Sequence, residues 1–322
     1  MPTRAVTGSW WMDLVLSLYS PYLLRHVLPK LTKLTATTYH ITLVTPNLDF
    51  YWNIAAPRLL VSSTLIPEAK VFLPIAAAFA AYSAEHFTLV QAKATGINAE
   101  SQSVVLSTGQ EVPYASLVIA TGASYVSPLW TLNDDEGSLK DQLRATRDAL
   151  AGAKSVASAR AQGPDGQTTV TLSDGSIRTV DVFIDATGGK PNTQFLPREW
   201  LSESQHVVTD AKTCRTPIPG VYAIGDVASY SSGSVMDAQN AVAPLGTSIG
   251  IDLAGDQAKG TFKQKAFRGI GATQFVPTGP GGGVGQVFGW KVPSLAVWAG
   301  KSRGYMVWMA PGAVAGDHFK KP

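Results

Sequence analysis

The sequence predicts an α/β fold: an open, mostly parallel sheet whose strand tips carry a ligand site. Three stretches predict it. Leu117-Val-Ile-Ala120 is an apolar run that ends in Ala120-Thr121-Gly122. Val182-Phe-Ile184 repeats the device and ends in Ala186-Thr187-Gly188. Val221 to Ile224 is a third apolar run, followed by Gly225 and Asp226. Short apolar runs bounded by glycine read as buried strands. Small residues after them let the backbone turn close to something bulky. In open α/β sheets ligands sit outside the carboxyl ends of the strands, which is where Asp226 falls. Val235 to Leu253 reads as a helix whose positive end faces the same spot.

The remaining elements follow in order. Leu14-Val-Leu-Ser-Leu18 reads as the first strand. Ser20 then caps a helix that has Pro21 at its first position, with Leu23, Leu24, Val27 and Leu31 on one side. Thr38 to Val44 reads as the second strand, ending at Thr45. Pro67 to Ala84 carries a helix, and Phe87 to Val90 begins a strand. Ser103 to Leu106, a polar turn and Val112 form a hairpin. Ser138 to Leu150 reads as a polar-faced helix that runs toward Lys154-Ser-Val156. Thr168 to Leu172 and Ile177 onward form another hairpin. The glycine run Gly279 to Gly285 lacks G-x-G-x-x-G spacing, and the sequence reads it as a connection. Ser294 to Met309 mixes Leu295, Trp298, Tyr305 and Trp308 with Lys301 and Arg303. That composition suits a helix at a membrane surface or a dimer contact, and equally one docked on its own core.

Composition narrows the chemistry. The 322 residues are 45% hydrophobic and 15% charged, enough to bury a large core. The net charge is +3, and the basic residues are scattered along the sequence apart from Lys320-Lys321, whereas a nucleic-acid binder needs a clustered basic stripe. One cysteine, Cys214, rules out an internal disulfide or a C-x-x-C dithiol. The five histidines show no ligand pairing, so no metal site is expected. No apolar run is long enough to span a bilayer. No side chain stands out as a general acid or base, so no catalytic residue is assigned.

The ordered trio of Ala120-Thr121-Gly122, Ala186-Thr187-Gly188 and Gly225-Asp226 resembles the flavoproteins with two dinucleotide-binding domains. With Ile41-Thr-Leu-Val44, Trp52 to Arg58, Gln274 to Pro277 and Gly289 to Pro293, it is most similar to their apoptosis-inducing-factor-like branch. That branch includes the ferroptosis suppressor oxidoreductase and relatives of type II NADH dehydrogenases. The resemblance runs from about His40 to near the C-terminus. It implies an FAD/NAD(P)-binding three-layer, Rossmann-like fold. It further implies an FAD-dependent oxidoreductase that passes electrons from NAD(P)H to a quinone-like or small organic acceptor.

Residue by residue, the resemblance assigns cofactor contacts to Arg58, Ala94, Ala120, Thr121, Gly122, Gly225 and Asp226. Arg58 reads on its own as a surface arginine or a ligand to phosphate or flavin. Thr45 stands where an acidic residue often holds the adenosine ribose. The domains expected are residues 1–150 and 206–255 as two parts of the FAD-binding domain, 151–205 as a reduced remnant of the NAD(P)H-binding domain, and 256–322 as a C-terminal segment. Two departures matter. Tyr19-Ser20-Pro21 stands where a glycine turn is expected, and Pro21 offers no N–H. Between Val156 and Thr168 no second glycine turn is found, so NAD(P)H binding is expected to be weak. An altered gene model or splice form and a genuine loss with a changed role each account for this. The rival expectation is a non-catalytic relative acting as a binding or assembly subunit. The expected setting is cytoplasmic, with mitochondrial or peripheral membrane association as alternatives, and a homodimer is compatible with the C-terminal segment.

Overall fold

The computed structural model describes residues 3–8, 19–132, 136–157, 168–171, 174–186 and 188–317. Five parallel strands form the central sheet: β1 (Thr3–Gly8), β2 (Tyr39–Thr45), β3 (Phe87–Gln91), β4 (Ser116–Ile119) and β5 (Val221–Ala223). Their spatial order is β5-β4-β1-β2-β3. From β1 the chain builds outward on one side through β2 and β3, then returns to the other side of β1 with β4. The order reverses at the β1/β4 boundary, and such a switch point opens a crevice at the strand tips.

Alternation along the strands explains three layers. Leu117 and Ile119 of β4, and Val221 and Ala223 of β5, point into one core with Val104, Leu106 and Val112. Val118 with Ala120, and Tyr222 with Ile224, point into the other core with Leu23, Val27, Leu245 and Ile249. Both faces are covered, so these strands read as continuous apolar runs rather than alternating ones. The first cover is a three-stranded antiparallel meander, Ala94–Asn98, Ser103–Leu106 and Glu111–Pro113. The second is helical. It comprises a π-helical turn at Leu23–Val27 that continues into α1 (Leu28–Thr35), and the long helix α3 (Val235–Ala254). Between them in sequence lies α2 (Glu136–Gly152). Gly246 of α3 lies against the ring of Tyr22, where a Cβ would come within 2.5 Å, so only glycine lets these helices approach so closely.

The structure revises several expectations. The first described strand is Thr3–Gly8; Leu14–Leu18, the strand expected, lies outside the described residues. Helix is already present at Tyr19, so Ser20 sits inside it and does not cap it. Residues 67–84 carry a helix, at Ile75–Phe79, but a short one, because Phe72–Pro74 pairs antiparallel with Asp49–Tyr51. Pro67 and Pro74 break the helical pattern, and Phe72 gains a stacked contact on Tyr51 at 4.9 Å. The glycine run is no plain connection either. Gln274–Gly279, Gly282–Val287 and Trp290–Lys291 form an antiparallel sheet, with Gly283 and Gly285 making room for Val297. The helix expected across Ser294–Met309 is broken at Tyr305 and Met306, both at positive φ.

The segment between the two halves is short. Val156–Ala157 pairs with Val182–Phe183, and Thr168–Thr171 forms a hairpin with Ile177–Val180. Asp181 ties its entrance by accepting from the Lys154 and Ser155 N–H groups at 2.9 Å each. The chain returns through Gly189–Pro191, antiparallel to Ala123–Tyr125.

Strand β5 is locked to α3 by a polar clamp. Arg215 donates from Nε and Nη2 to Asp252 at 2.7 and 2.8 Å, and from Nη1 to Gln264 Oε1 at 3.0 Å. Tyr222 donates to the same Asp252 at 2.7 Å. The bidentate geometry makes these bonds stronger than a lone surface pair, although partial exposure discounts them. Arg215→Ala should therefore lower stability by about 1–2 kcal/mol in urea unfolding. A loss within ~0.5 kcal/mol of zero, the usual range for an unengaged surface position, would contradict the clamp.

Candidate functional site

The site is built at the carboxyl tips of β4 and β5. Parallel register sets Ile119 beside Ala223, so the residues after them emerge side by side. After β5 the chain turns at Gly225, whose φ of +76° suits glycine, into a single 3-10 turn. That turn carries Asp226, which is buried, and its Oδ1 has no hydrogen-bond partner. Asp237, in the first turn of α3, is likewise buried, with its Oδ1 unpaired. The other Asp237 oxygen accepts from the hydroxyl and the N–H of Ser232. Ser234 caps α3 by accepting from the Met236 N–H at 3.2 Å.

Burial first, and the neighbouring Asp237 carboxylate second, push the Asp226 pKa up to about 6. A buried carboxyl oxygen without a partner is costly, and native proteins retain few of them. Two such oxygens sit where a 20-residue helix begins, just past the carboxyl end of the edge strand β5. Tyr125, which the sequence reading passed over, belongs to the same neighbourhood: burial and then Asp226 raise its pKa. Only its position three residues past Gly122 could have signalled it.

The tip of β4 is held from within. Gly122 has φ +61°. Thr121 donates its hydroxyl to the Asn192 carbonyl at 2.7 Å, and Asn192 returns Nδ2–H to the Thr121 carbonyl at 2.9 Å. The Asn192 N–H donates to the Gly122 carbonyl at 2.9 Å. The Thr121 side chain thus serves the turn's shape. Of the second Ala-Thr-Gly device, Thr187 lies outside the described residues.

The other expected residues lie elsewhere. Ala94 is buried at the start of the meander, opposite Leu106. Arg58 is buried on the helix Ala56–Val61 and donates from Nη2 to the Ser302 carbonyl at 2.8 Å, its guanidinium 5.0 Å from the Tyr305 ring centroid. It therefore ties the sheet domain to the C-terminal segment. Thr45 uses its hydroxyl on the Asn47 carbonyl at 3.0 Å. Gly8 ends β1 between Val44 and Ile119, where a phosphate-binding turn would start. Counted from there, the second and third glycine positions of G-x-G-x-x-G hold Trp10 and Asp13. The turn itself, residues 9–18, lies outside the described residues. Cys214 is buried, and burial pushes its thiol up to about 12, far from thiolate chemistry at neutral pH. No group able to hold a metal ion occurs among the described residues, and no described helix is long and apolar enough to cross a membrane.

Residues 151–244 match the family model for pyridine nucleotide-disulphide oxidoreductases. Oxidoreductase phnG of Penicillium herquei is 26% identical over 392 aligned positions, covering 93% of each chain. Since 392 positions exceed the 322 residues present, at least 70 of them face gaps in this chain. The fold superposes on the sulfide:quinone oxidoreductase of Aquifex aeolicus with a TM-score of 0.70 at 11% identity, covering 97% of this chain and 92% of that one. It also superposes on a chain of the Tetrahymena thermophila mitochondrial ATP synthase with a TM-score of 0.67 at 12% identity, covering 100% and 98%. The Rossmann-like α/β fold is thus the fold of FAD/NAD(P)-binding oxidoreductases.

The raised Asp226 pKa has a definite sign. Its folded-state value, about 6, lies above the ordinary 3.8. The stability it permits is present below pH ~4 and is lost as pH rises through about 6. In flavin-free protein, Asp226→Asn should match wild type near pH 4 and exceed it by about 3 kcal/mol above pH 7. Urea unfolding across this range checks it; a difference that does not vary with pH would contradict the assignment.

Proposed function

We propose that this chain, with a stretch of the pyridine nucleotide-disulphide oxidoreductase family at residues 151–244, is an FAD-dependent oxidoreductase. A nicotinamide-type donor supplies the electrons, and a quinone-like or small organic molecule accepts them. One observation carries the reading: Asp226 presents a buried, unpaired carboxyl oxygen at the sheet's carboxyl edge. When bound, FAD supplies hydride acceptance and electron delivery, chemistry the side chains lack.

The residues that fit are those of the flavin half. Asp226 accepts a hydrogen bond from a ribityl hydroxyl, which relieves its orphaned oxygen. Gly225 and Gly122, both at positive φ, let the backbone approach a planar ring. Ala120 and Thr121 set the neighbouring tip. The N-terminus of α3 favours negative charge nearby, and Asp237 in its first turn works against that. Reduction that leaves a net negative charge is therefore less favoured than the helix alone would make it. Arg58, on the helix Ala56–Val61, spends its guanidinium on Ser302 and Tyr305, and Ala94 is buried in the meander, so neither is among the flavin contacts of this reading. With one buried cysteine, no dithiol relay lies between donor and acceptor, so transfer to the acceptor is direct.

The dinucleotide half fits less well. Counted from Gly8, the sequence has Trp10 and Asp13 in place of the second and third glycines of G-x-G-x-x-G, so it lacks the glycines that let a backbone approach a pyrophosphate closely. FAD is accordingly held weakly. Residues 151–205 form a reduced remnant of a donor unit: between Val156 and Phe183 the described sheet pairings are a two-stranded bridge and a hairpin. This favours a second reading, a relative that has given up catalysis for a role in an assembly. The likeness to a chain of an ATP synthase agrees with it.

Flavin absorbance separates the two readings. Added FAD should bind and then be stripped by extended dialysis. Anaerobic NADH or NADPH should bleach the loaded protein slowly, with no saturation in the micromolar range, since several lost contacts at ~1.5–3 kcal/mol each move a micromolar site to millimolar. Rapid, saturable bleaching would show a complete donor site in residues 151–205. Failure to take up any FAD would leave the assembly reading.

A further inference from the structure

The second strand pair of the C-terminal sheet ends in an unusual turn. Val287 pairs with Trp290, so Phe288 and Gly289 are the two central residues of the hairpin loop. Both have positive φ, +50° and +84°. Such a loop prefers Asn, Asp or Gly at its first position, and a bulky side chain there is strained. The strain is held by the Phe288 N–H donating to Thr273 Oγ1 at 3.1 Å and the Gly289 N–H donating to the Ala272 carbonyl at 2.9 Å. Phe288 does not recover that cost within the fold, because it is 74% exposed. Trp290 beside it is 80% exposed, and Leu295 on the following helical turn is 70% exposed. Three large apolar side chains within eight residues face water at a strained tip. Strained positions of this kind cluster at functional sites.

Charge is segregated onto the same part of the chain. Residues 259–322 carry nine Lys and Arg against one carboxylate, Asp317, a net of +8. Residues 1–258 carry the balance of the total +3, a net of −5. Lys291 follows Trp290 directly and is exposed, as are Lys263, Arg268 and Arg303.

We propose that this hairpin tip docks on the surface of an anionic lipid bilayer, with Phe288, Trp290 and Leu295 entering the headgroup boundary and the adjacent Lys291, in a segment of net charge +8, facing the lipid phosphates. Tryptophan rings settle at that depth, and each nearby cation adds attraction to an anionic leaflet. Apolar insertion joined to positive charge is the combination that holds a protein on a membrane without spanning it. A second copy is a poorer occupant. A two-fold contact would set the same basic patch against itself. Three side chains also fall short of the roughly 1,200–2,000 Å² that a stable dimer buries. The proposal stands apart from the redox reading, because the contact needs no bound flavin.

Co-sedimentation of the full-length chain with phosphatidylcholine vesicles, with and without phosphatidylserine, tests it. The chain should pellet with the phosphatidylserine vesicles, show a blue shift of tryptophan emission, and come off as salt is raised. The Phe288→Ser/Trp290→Ser double variant should partition at least about tenfold more weakly while unfolding at the same temperature as wild type. Lys291→Glu should weaken binding only to the anionic vesicles. Wild type remaining in the supernatant, or equal pelleting of the double variant, would overturn the proposal. So would a concentration-dependent dimer that the double variant abolishes, since the patch would then be a self-contact.

Discussion

Parallel pairing of Val221–Ala223 with Leu117–Ile119 joins strands separated by the whole of residues 120–220. The site depends on this long-range closure. It sets the Gly225-Asp226 turn beside the Ala120-Thr121-Gly122 turn, and it aims the start of α3 at both. Loop-closure entropy grows slowly with length, so shortening the intervening segment changes the closure little. What matters is that both ends stay in register. Asn192 clasps the β4 tip with three hydrogen bonds, and Arg215 with Asp252 fixes β5 to α3. A sheet secured at both ends of the loop can lose much of a donor unit and keep its strand tips.

The closure also explains the electrostatics. Bringing the β5 turn and the first turn of α3 together places Asp226 and Asp237 in one buried neighbourhood. Neither has full hydrogen bonding, and the first holds its proton to an unusually high pH as a result. A fold selected for stability alone would fill such a place with an apolar or paired group. The cost is reasonable if a ligand's hydroxyl completes the carboxylate, which ties a stability defect to a binding role. Cys214, by contrast, is packed into the helical core against Tyr230 and the Ala241 carbonyl and serves structure.

Much of this was legible in the residues. β2, β4, β5 and α3 were expected within a residue or two, because strands buried on both faces leave long apolar runs and α3 has a Ser234 cap. Other parts were hidden for physical reasons. Thr3–Gly8 has only Ala5 and Val6 as apolar residues and looks weaker than the apolar Leu14–Leu18, yet pairing on both edges makes it the central strand. Phe72–Pro74 is too short to read as a strand and exists only because Asp49–Tyr51 offers it an edge. The glycines of Gly279 to Gly285 looked like a linker; Gly283 and Gly285 are there because α-helical Val297 sits on them. In the site, Asp226 and Gly225 could be read from their place after a strand. The partners of Arg58 could not, since Ser302 and Tyr305 lie far away in sequence. Nor could Asp237, whose importance comes from meeting Asp226 in space.

The most direct test of the account is the affinity of wild type and Asp226→Ala for FAD, measured by equilibrium titration of flavin fluorescence. If the unpaired carboxylate completes its hydrogen bonding on the cofactor, the substitution removes a charge-assisted bond of about 1.5–3 kcal/mol. The dissociation constant should then rise about tenfold to a hundredfold. Equal dissociation constants for the two proteins would contradict the account and remove Asp226 from the site.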